Sequence, residues 1–154
     1  MQILKTQDYH TIAKLNKSVH DLHVHLYPDL FKPYDQELVL SYMKEMMKNP
    51  SFIFLLALDE ALGPAGYAWI EFINYPESPF NYAYSAIFIR QISVEPSKKQ
   101  QGYGSALMNF ITRLGKDSGA NRIELDYWGA NQEADRFYQK HGFIKDRIFI
   151  SKRI

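Results

Sequence analysis

Apolar residues along this chain change spacing repeatedly. In some stretches they recur every three or four positions, which marks a helix with one buried face; in others they run together or alternate, which marks a strand. After a short extended stretch from Gln2 to Lys5, Asp8 is placed to cap a helix reaching about Leu26. That helix stops before Tyr27-Pro28, because the residue preceding a proline is pushed out of the helical region. Pro33 and Asp35 open a second helix with Leu38, Val39, Tyr42 and Met46 on one face, and Asn49-Pro50 ends it. Ser51 to Leu58, SFIFLLAL, is short and rich in large apolar residues, a buried strand. After the Asp59 to Pro64 turn, a strand carries Tyr67, Trp69 and Glu71 on one face and Ala68, Ile70 and Phe72 on the other. Asn74 to Asn81 is a loop, and a long strand from Tyr84 to Val94 closes at Pro96.

The second half alternates helix and strand. Gly104 to Ser118 is a helix with Ala106, Leu107, Phe110, Ile111 and Leu114 on one face, closed by Gly119. Ile123 to Tyr127 is a strand. Asn131 caps a short helix with Ala134, Phe137 and Tyr138 on its apolar face; Gly142 ends it, leaving Phe143 free to fold back on Tyr138. Phe143 to Ile154 alternates and is expected to form one or two closing strands. The order predicts an α/β fold, a central mixed, mostly antiparallel sheet with helices on both faces and a parallel strand-helix-strand unit late in the chain. No repeat or linker divides it, so residues 1–154 are expected to form a single domain.

Composition narrows the chemistry. The chain has no cysteine, which removes disulfides, thiolate nucleophiles and Cys-ligated zinc. A formal net charge of +1 recruits neither nucleic acid nor an anionic membrane. Met1 to Thr6 is too short and polar for a signal peptide, and the longest apolar run, Phe52 to Leu58, falls far short of the roughly 20 residues that span a bilayer. A cytoplasmic location is the expectation. Eleven Tyr and ten Phe fill a core first, but they also suit a wall that grips a partly apolar ligand.

The most informative stretch runs from Val94 to Met108, VEPSKKQQGYGSALM. A strand ends, a loop passes Lys98 and Lys99, and Gly102-Tyr103-Gly104 opens a helix. Unpaired amides at a helix start, with the positive end of its dipole behind them, make an anion site suited to a pyrophosphate. Neither a Walker loop nor a full GxGxxG is present, since Leu107 stands at the third glycine position. Further on, Asn131 to Phe143 has the form N-x-x-A-x-x-F-Y-x-x-x-G-F.

Together the two stretches resemble the GCN5-related N-acetyltransferase (GNAT) superfamily, whose cofactor loop is [RQ]-x-x-G-x-[GA] and whose next helix commonly ends A-x-x-F-Y-x-x-x-G-F. The likeness is strong over Ile92 to Phe143; Lys99 departs from it, standing where the family has Arg or Gln. The resemblance implies acetyl-CoA as acyl donor and transfer to a primary amine by direct attack. It implies that Ile92, Ser93 and Val94 pair with the pantetheine arm and that Lys99, Gln100, Gln101, Gly102, Tyr103, Gly104 and Ser105 surround the pyrophosphate. Asn131, with Ala134 and Phe137 on the same helix, completes the cofactor site, and Tyr138 is the general acid. Family members that carry a base on the strand before the loop use a glutamate there, but Ser85 to Val94 contains no acid. Glu71 on the neighbouring strand is the candidate base, with Asp126 the second choice. Tyr27, Phe31, Tyr34, Tyr82 and Trp128 are candidates to line the acceptor pocket.

His20 and His23 share a helix face, but His25 does not follow at a ligand spacing and no carboxylate pair frames them, so no metal is expected. The partner is expected to be a small-molecule or peptide amine, with no nucleic acid, no membrane, and room for a homodimer. Two other functions stay open: a catalytically silent acetyl-CoA-binding module, and an RNA-binding domain that stacks bases on sheet aromatics. Ser105 lacks the G-x-S-x-G elbow of a serine hydrolase.

Overall fold

In the computed structural model, which describes residues 1–154, the elements are β1 (Gln2–Lys5), α1 (Tyr9–Leu26), α2 (Gln36–Met46), β2 (Phe52–Leu58), β3 (Pro64–Tyr75), β4 (Tyr84–Val94), α3 (Tyr103–Ser118), β5 (Arg122–Leu125) and α4 (Gln132–Lys140). The helices begin where side chains can satisfy amides that a helix start leaves unpaired. Asp8 accepts from the Thr11 amide at 3.0 Å, Asp35 from Leu38 at 3.1 Å and Asn131 from Ala134 at 3.1 Å. Gly119 ends α3 and Gly142 follows α4, both at positive φ. Past α4, the Phe143 amide bonds the Tyr138 carbonyl at 3.0 Å and the two rings lie 5.6 Å apart, the apolar contact expected of such a cap.

The strands form one sheet in the order β1-β2-β3-β4-β5. The first four pair antiparallel and β5 joins β4 in parallel, the chain crossing over between them through α3. Successive strand residues face opposite ways, so the sheet builds two cores. Leu55, Ala68, Ile70, Ile87 and Ile89 meet Leu107, Met108 and Ile111 of α3 and Tyr138 of α4. Phe54, Leu56, Tyr67 and Trp69 meet Ile12, Ala13 and Leu15 of α1 and Met43 of α2 on the other face. Each of these large side chains contributes about 1.5–3 kcal/mol by leaving water. No helix is long and apolar enough to cross a membrane.

The second core holds one polar cluster. Asn16, only 4% exposed, donates through Nδ2 to the Tyr67 hydroxyl at 2.9 Å and to Gln91 Oε1 at 3.0 Å. Tyr67 donates in turn to Gln91 Oε1 at 2.7 Å.

The tail departs from expectation. Phe143 to Ile154 forms no strand, and beyond Phe143 no backbone group makes a backbone hydrogen bond. Alternation alone does not make a strand; a hydrogen-bonded neighbour must be in register. Here the segment is held by side-chain ion pairs instead: Lys145 with Asp135 at 2.9 Å, Arg122 with Asp146 at 3.7 Å and Arg153 with Asp29 at 2.7 Å.

Candidate active site

The pairing of β4 with β5 ends at Ile89 and Leu125, although β4 continues to Val94. Arg90 is an extra residue opposite β3, where Trp69 pairs with Gln91 but Ile70 pairs with Ile89. Such a bulge bends its strand and sharpens its twist. Beyond it, Gln91 to Val94 pair only with β3, so their other edge is open. Ile92, Ser93 and Val94 thus present a free strand edge, suited to an extended, amide-bearing ligand. Gly66 makes this approach of strands possible: a Cβ there would lie 2.6 Å from the Ser93 carbonyl oxygen.

The open edge leads into the loop before α3. Gln100 and Gly102 both have positive φ, 61° and 90°, which turns the backbone inward on itself. The Ala106 amide bonds the Gly102 carbonyl at 2.9 Å, the first bond of α3. The amides of Gln100, Gln101, Gly102, Tyr103, Gly104 and Ser105 bond no protein group, leaving a continuous run of donors at the positive end of a long helix. Gly104 also lets α4 come close, since a Cβ there would lie 3.2 Å from the Phe137 ring. The lysines are already matched: Lys99 pairs with Glu133 at 2.8 Å and Lys98 with Asp59 at 2.8 Å. Anion affinity in this loop therefore rests on the amides more than on free charge. Ser105 Oγ lies 3.2 Å from His141 Nε2, and burial followed by the Lys140 charge holds that imidazole below its ordinary pKa.

Tyr138 projects from α4 with its ring 9% exposed, between Tyr127 at 5.6 Å, Phe137 at 5.4 Å and Phe143. Burial raises the pKa of its phenol well above the ordinary value, and the charge of Asp126, then Tyr127, adds to the shift. A phenol in that setting stays protonated at neutral pH and can give its proton to a strong base formed beside it. Asn131 caps α4, and Asp135 accepts the Tyr127 hydroxyl, so the strand end and α4 are tied together.

On the opposite face, the segment after α1 packs against the residues after β5. The Ala130 amide donates to the Tyr27 hydroxyl at 2.9 Å, and the Tyr27 and Phe31 rings lie 4.8 and 5.1 Å from Trp128. Phe31 also contacts His20 and His23, at 6.0 and 5.1 Å, and Tyr34 lies 5.5 Å from His20 while donating to the Ala13 carbonyl. His20 Nε2–H donates to the Lys32 carbonyl at 2.7 Å. Burial, then the His20 charge, lowers the pKa of His23. This aromatic wall suits an ammonium or an apolar amine.

Tyr82 and Glu71 have surroundings of their own. Tyr82 is 89% exposed in the loop between β3 and β4, away from the aromatic wall; nothing in that polar, proline-containing loop folds it inward. Glu71 is engaged with Arg90, whose Nε donates to its Oε2 at 2.7 Å and whose Nη2 donates to the same oxygen. It lies opposite Phe88, on the paired side of the point where β4 and β5 part. The pair ties β3 to Arg90, the residue of the bulge. Asp126, one residue beyond β5, is the acid near Tyr138. The Asn16–Tyr67–Gln91 cluster and His23 were absent from the expected site. Asn16, a polar residue one turn beyond Ile12 on the apolar face of α1, was the readable sign of the first. No group of three His, Asp or Glu residues is arranged to hold a metal ion.

The acetyltransferase (GNAT) family model matches residues 16–143. Among solved structures, the BH1408 protein from Bacillus halodurans, a tetramutant, superposes with a TM-score of 0.94 at 25% identity over 100% of both chains. A putative acetyltransferase from Agrobacterium tumefaciens str. C58 has a TM-score of 0.76 at 13% identity, again over 100% of both chains. AAC(6')-Iy, in complex with the bisubstrate analog CoA-S-monomethyl-acetylneamine, has a TM-score of 0.68 at 20% identity, covering 99% of this chain and 98% of that one. No curated protein matches the chain.

Proposed function

The chain belongs to the acetyltransferase (GNAT) family, and from that premise we propose that it transfers the acetyl group of acetyl-CoA to a primary amine by direct attack. The observation that carries this is the meeting of an open β4 edge, a run of unpaired amides and one buried phenol. The donors from Gln100 to Ser105 fit a pyrophosphate, and the free edge of Ile92 to Val94 fits the amide-bearing arm that follows it in CoA. Acetyl-CoA supplies the activated acyl thioester when bound. Main-chain donors at the end of β4 offer preorganised stabilisation for the developing oxyanion. Tyr138 holds a proton on its hydroxyl for the departing sulfur. Trp128, Tyr27, Phe31 and Tyr34 hold the amine, whether of a small molecule or a peptide, and exclude water. An amine with pKa near 10 arrives charged, and Asp126 is the group we assign to accept its proton, directly or through water.

Calorimetric titration with acetyl-CoA, beside ATP and NAD, tests the donor assignment; selective micromolar binding is expected, and none to folded protein overturns it. Thiol release with an amine panel then tests turnover. Tyr138→Phe is expected to lower kcat by at least tenfold with little change in acetyl-CoA affinity. Tight binding with no turnover of any amine favours the silent binding module, a reading motivated by the acid-free β4 strand.

A further inference from the structure

The Asn16–Tyr67–Gln91 cluster does not close on itself. Asn16 Nδ2 gives its two hydrogens to the Tyr67 hydroxyl at 2.9 Å and to Gln91 Oε1 at 3.0 Å, and the hydroxyl gives its own to Oε1 at 2.7 Å. This uses every hydrogen of Nδ2 and the hydroxyl, and both lone pairs of Oε1. Asn16 Oδ1 and Gln91 Nε2 are left over, an acceptor and a donor with no protein partner. Asn16 is only 4% exposed, so its free oxygen is an unpartnered group on a buried side chain. Trp69 Nε1 is the one unpartnered side-chain atom sealed from the surface, so both leftover atoms reach it.

Their position ties them to the site. Gln91 is the first residue of β4 beyond the bulge, where β5 no longer pairs and the open edge begins. Asn16 shares one stripe of α1 with His20 and His23, and the stripe leads on to Tyr27 and Trp128. The free atoms thus stand at the start of the stripe that joins the open edge to the aromatic wall.

A neutral donor and a neutral acceptor on neighbouring carboxamides match a group that presents N–H and C=O together. The nitrogen and carbonyl of one extended residue point the same way, as in a hydrogen-bonded strand pair. A bare alkylamine offers only the nitrogen. We propose that Asn16 and Gln91 set acceptor specificity: Asn16 Oδ1 receives an N–H of the reactive amine, and Gln91 Nε2 donates to the carbonyl beside it. The preferred acceptors are then peptide N-termini and amino-acid amides. Tyr67 is a positioning residue, turning the Gln91 carboxamide so that Nε2 faces outward. The inference rests on the acetyl-transfer reading and adds to it the class of amine.

Phenylalaninamide and phenethylamine share the ring and the amine and differ in the carbonyl. The ratio of their kcat/KM values is expected to favour the amide, and Gln91→Met, which removes the carboxamide without adding charge, to lower that ratio about tenfold or more. A ratio unchanged in a folded Gln91→Met variant traces the preference to amine basicity and overturns the proposal. Nuclear magnetic resonance of the parent chain needs neither turnover nor a stable variant. The side-chain amide signals of Gln91 and Asn16 are expected to shift on titration with phenylalaninamide and to stay in place with phenethylamine. If they shift selectively while no amine is acetylated, the transfer reading fails and the recognition stands. Signals that ignore phenylalaninamide, or that answer both amines alike, overturn it.

Discussion

Replacing Tyr67 with Phe removes one oxygen atom from a fully buried site and nothing else. That hydroxyl receives a bond from Asn16 Nδ2 at 2.9 Å and gives one to Gln91 Oε1 at 2.7 Å. Asn16 and Gln91 remain bonded to each other at 3.0 Å, so neither becomes an orphan in the core. The cost is therefore that of two ordinary hydrogen bonds without a stranded partner, about 1–2 kcal/mol. In a chain of this length that lowers Tm by roughly 3–6 °C. Asn16→Ala also loses two bonds and opens a small cavity, about 2–3 kcal/mol in total. The two single variants share the Asn16–Tyr67 bond, so the double variant should cost less than their sum by about 1 kcal/mol. Urea unfolding of the four proteins measures all three quantities. A Tyr67→Phe variant as stable as the parent, or strictly additive losses, refutes the network as a structural unit.

Three further expectations follow from particular contacts. Gly66→Ala would set a Cβ 2.6 Å from the Ser93 carbonyl and push β3 from β4, costing about 1–3 kcal/mol and weakening acetyl-CoA binding; a stable variant with unchanged affinity contradicts it. Asn131→Ala should cost about 1 kcal/mol as a lost cap, while Asn131→Asp keeps the cap, so reduced acetyl-CoA affinity in the Asp variant isolates the ligand contact. His23 has a lowered folded pKa, so the unfolded chain takes up the proton more readily, and stability present above about 6.5 declines as pH falls below it. His23→Gln should flatten that decline in urea midpoints measured from pH 7.5 to 5; an unchanged slope contradicts it.

Much of the fold was legible because local signals agreed with one another. Asp8, Asp35 and Asn131 mark helix starts by side-chain chemistry that needs no tertiary context. The faces of β3 follow from a period of two, and Tyr67 and Trp69 indeed turn to one core while Ala68 and Ile70 turn to the other. The glycine turn was readable because positive φ at Gly102 has few alternatives in residue type. What escaped reading depends on register and long-range packing. No pattern in Ser85 to Val94 announces that Arg90 is the residue β3 skips, and that skip brings Arg90 to Glu71. The tail alternates like a strand, yet pairing is decided by an edge it does not bond. Tyr82 and Trp128 are equally aromatic in sequence, but only Trp128 follows a strand that delivers it to α1.

The sheet also has a seam in time. From β2 to β4, each strand meets the next through a short connection or one loop, whereas β5 reaches β4 only after residues 95–121 have formed their turn and α3. Contacts between residues distant in sequence cost more loop-closure entropy, so the antiparallel part can assemble while β5 is still searching. The open edge of β4 lies on that seam, between the early and the late half of the sheet. Amide hydrogen exchange should find protection in β2 and β3 outlasting that in β5. The same sub-global opening would loosen the walls around Tyr138 without unfolding the rest.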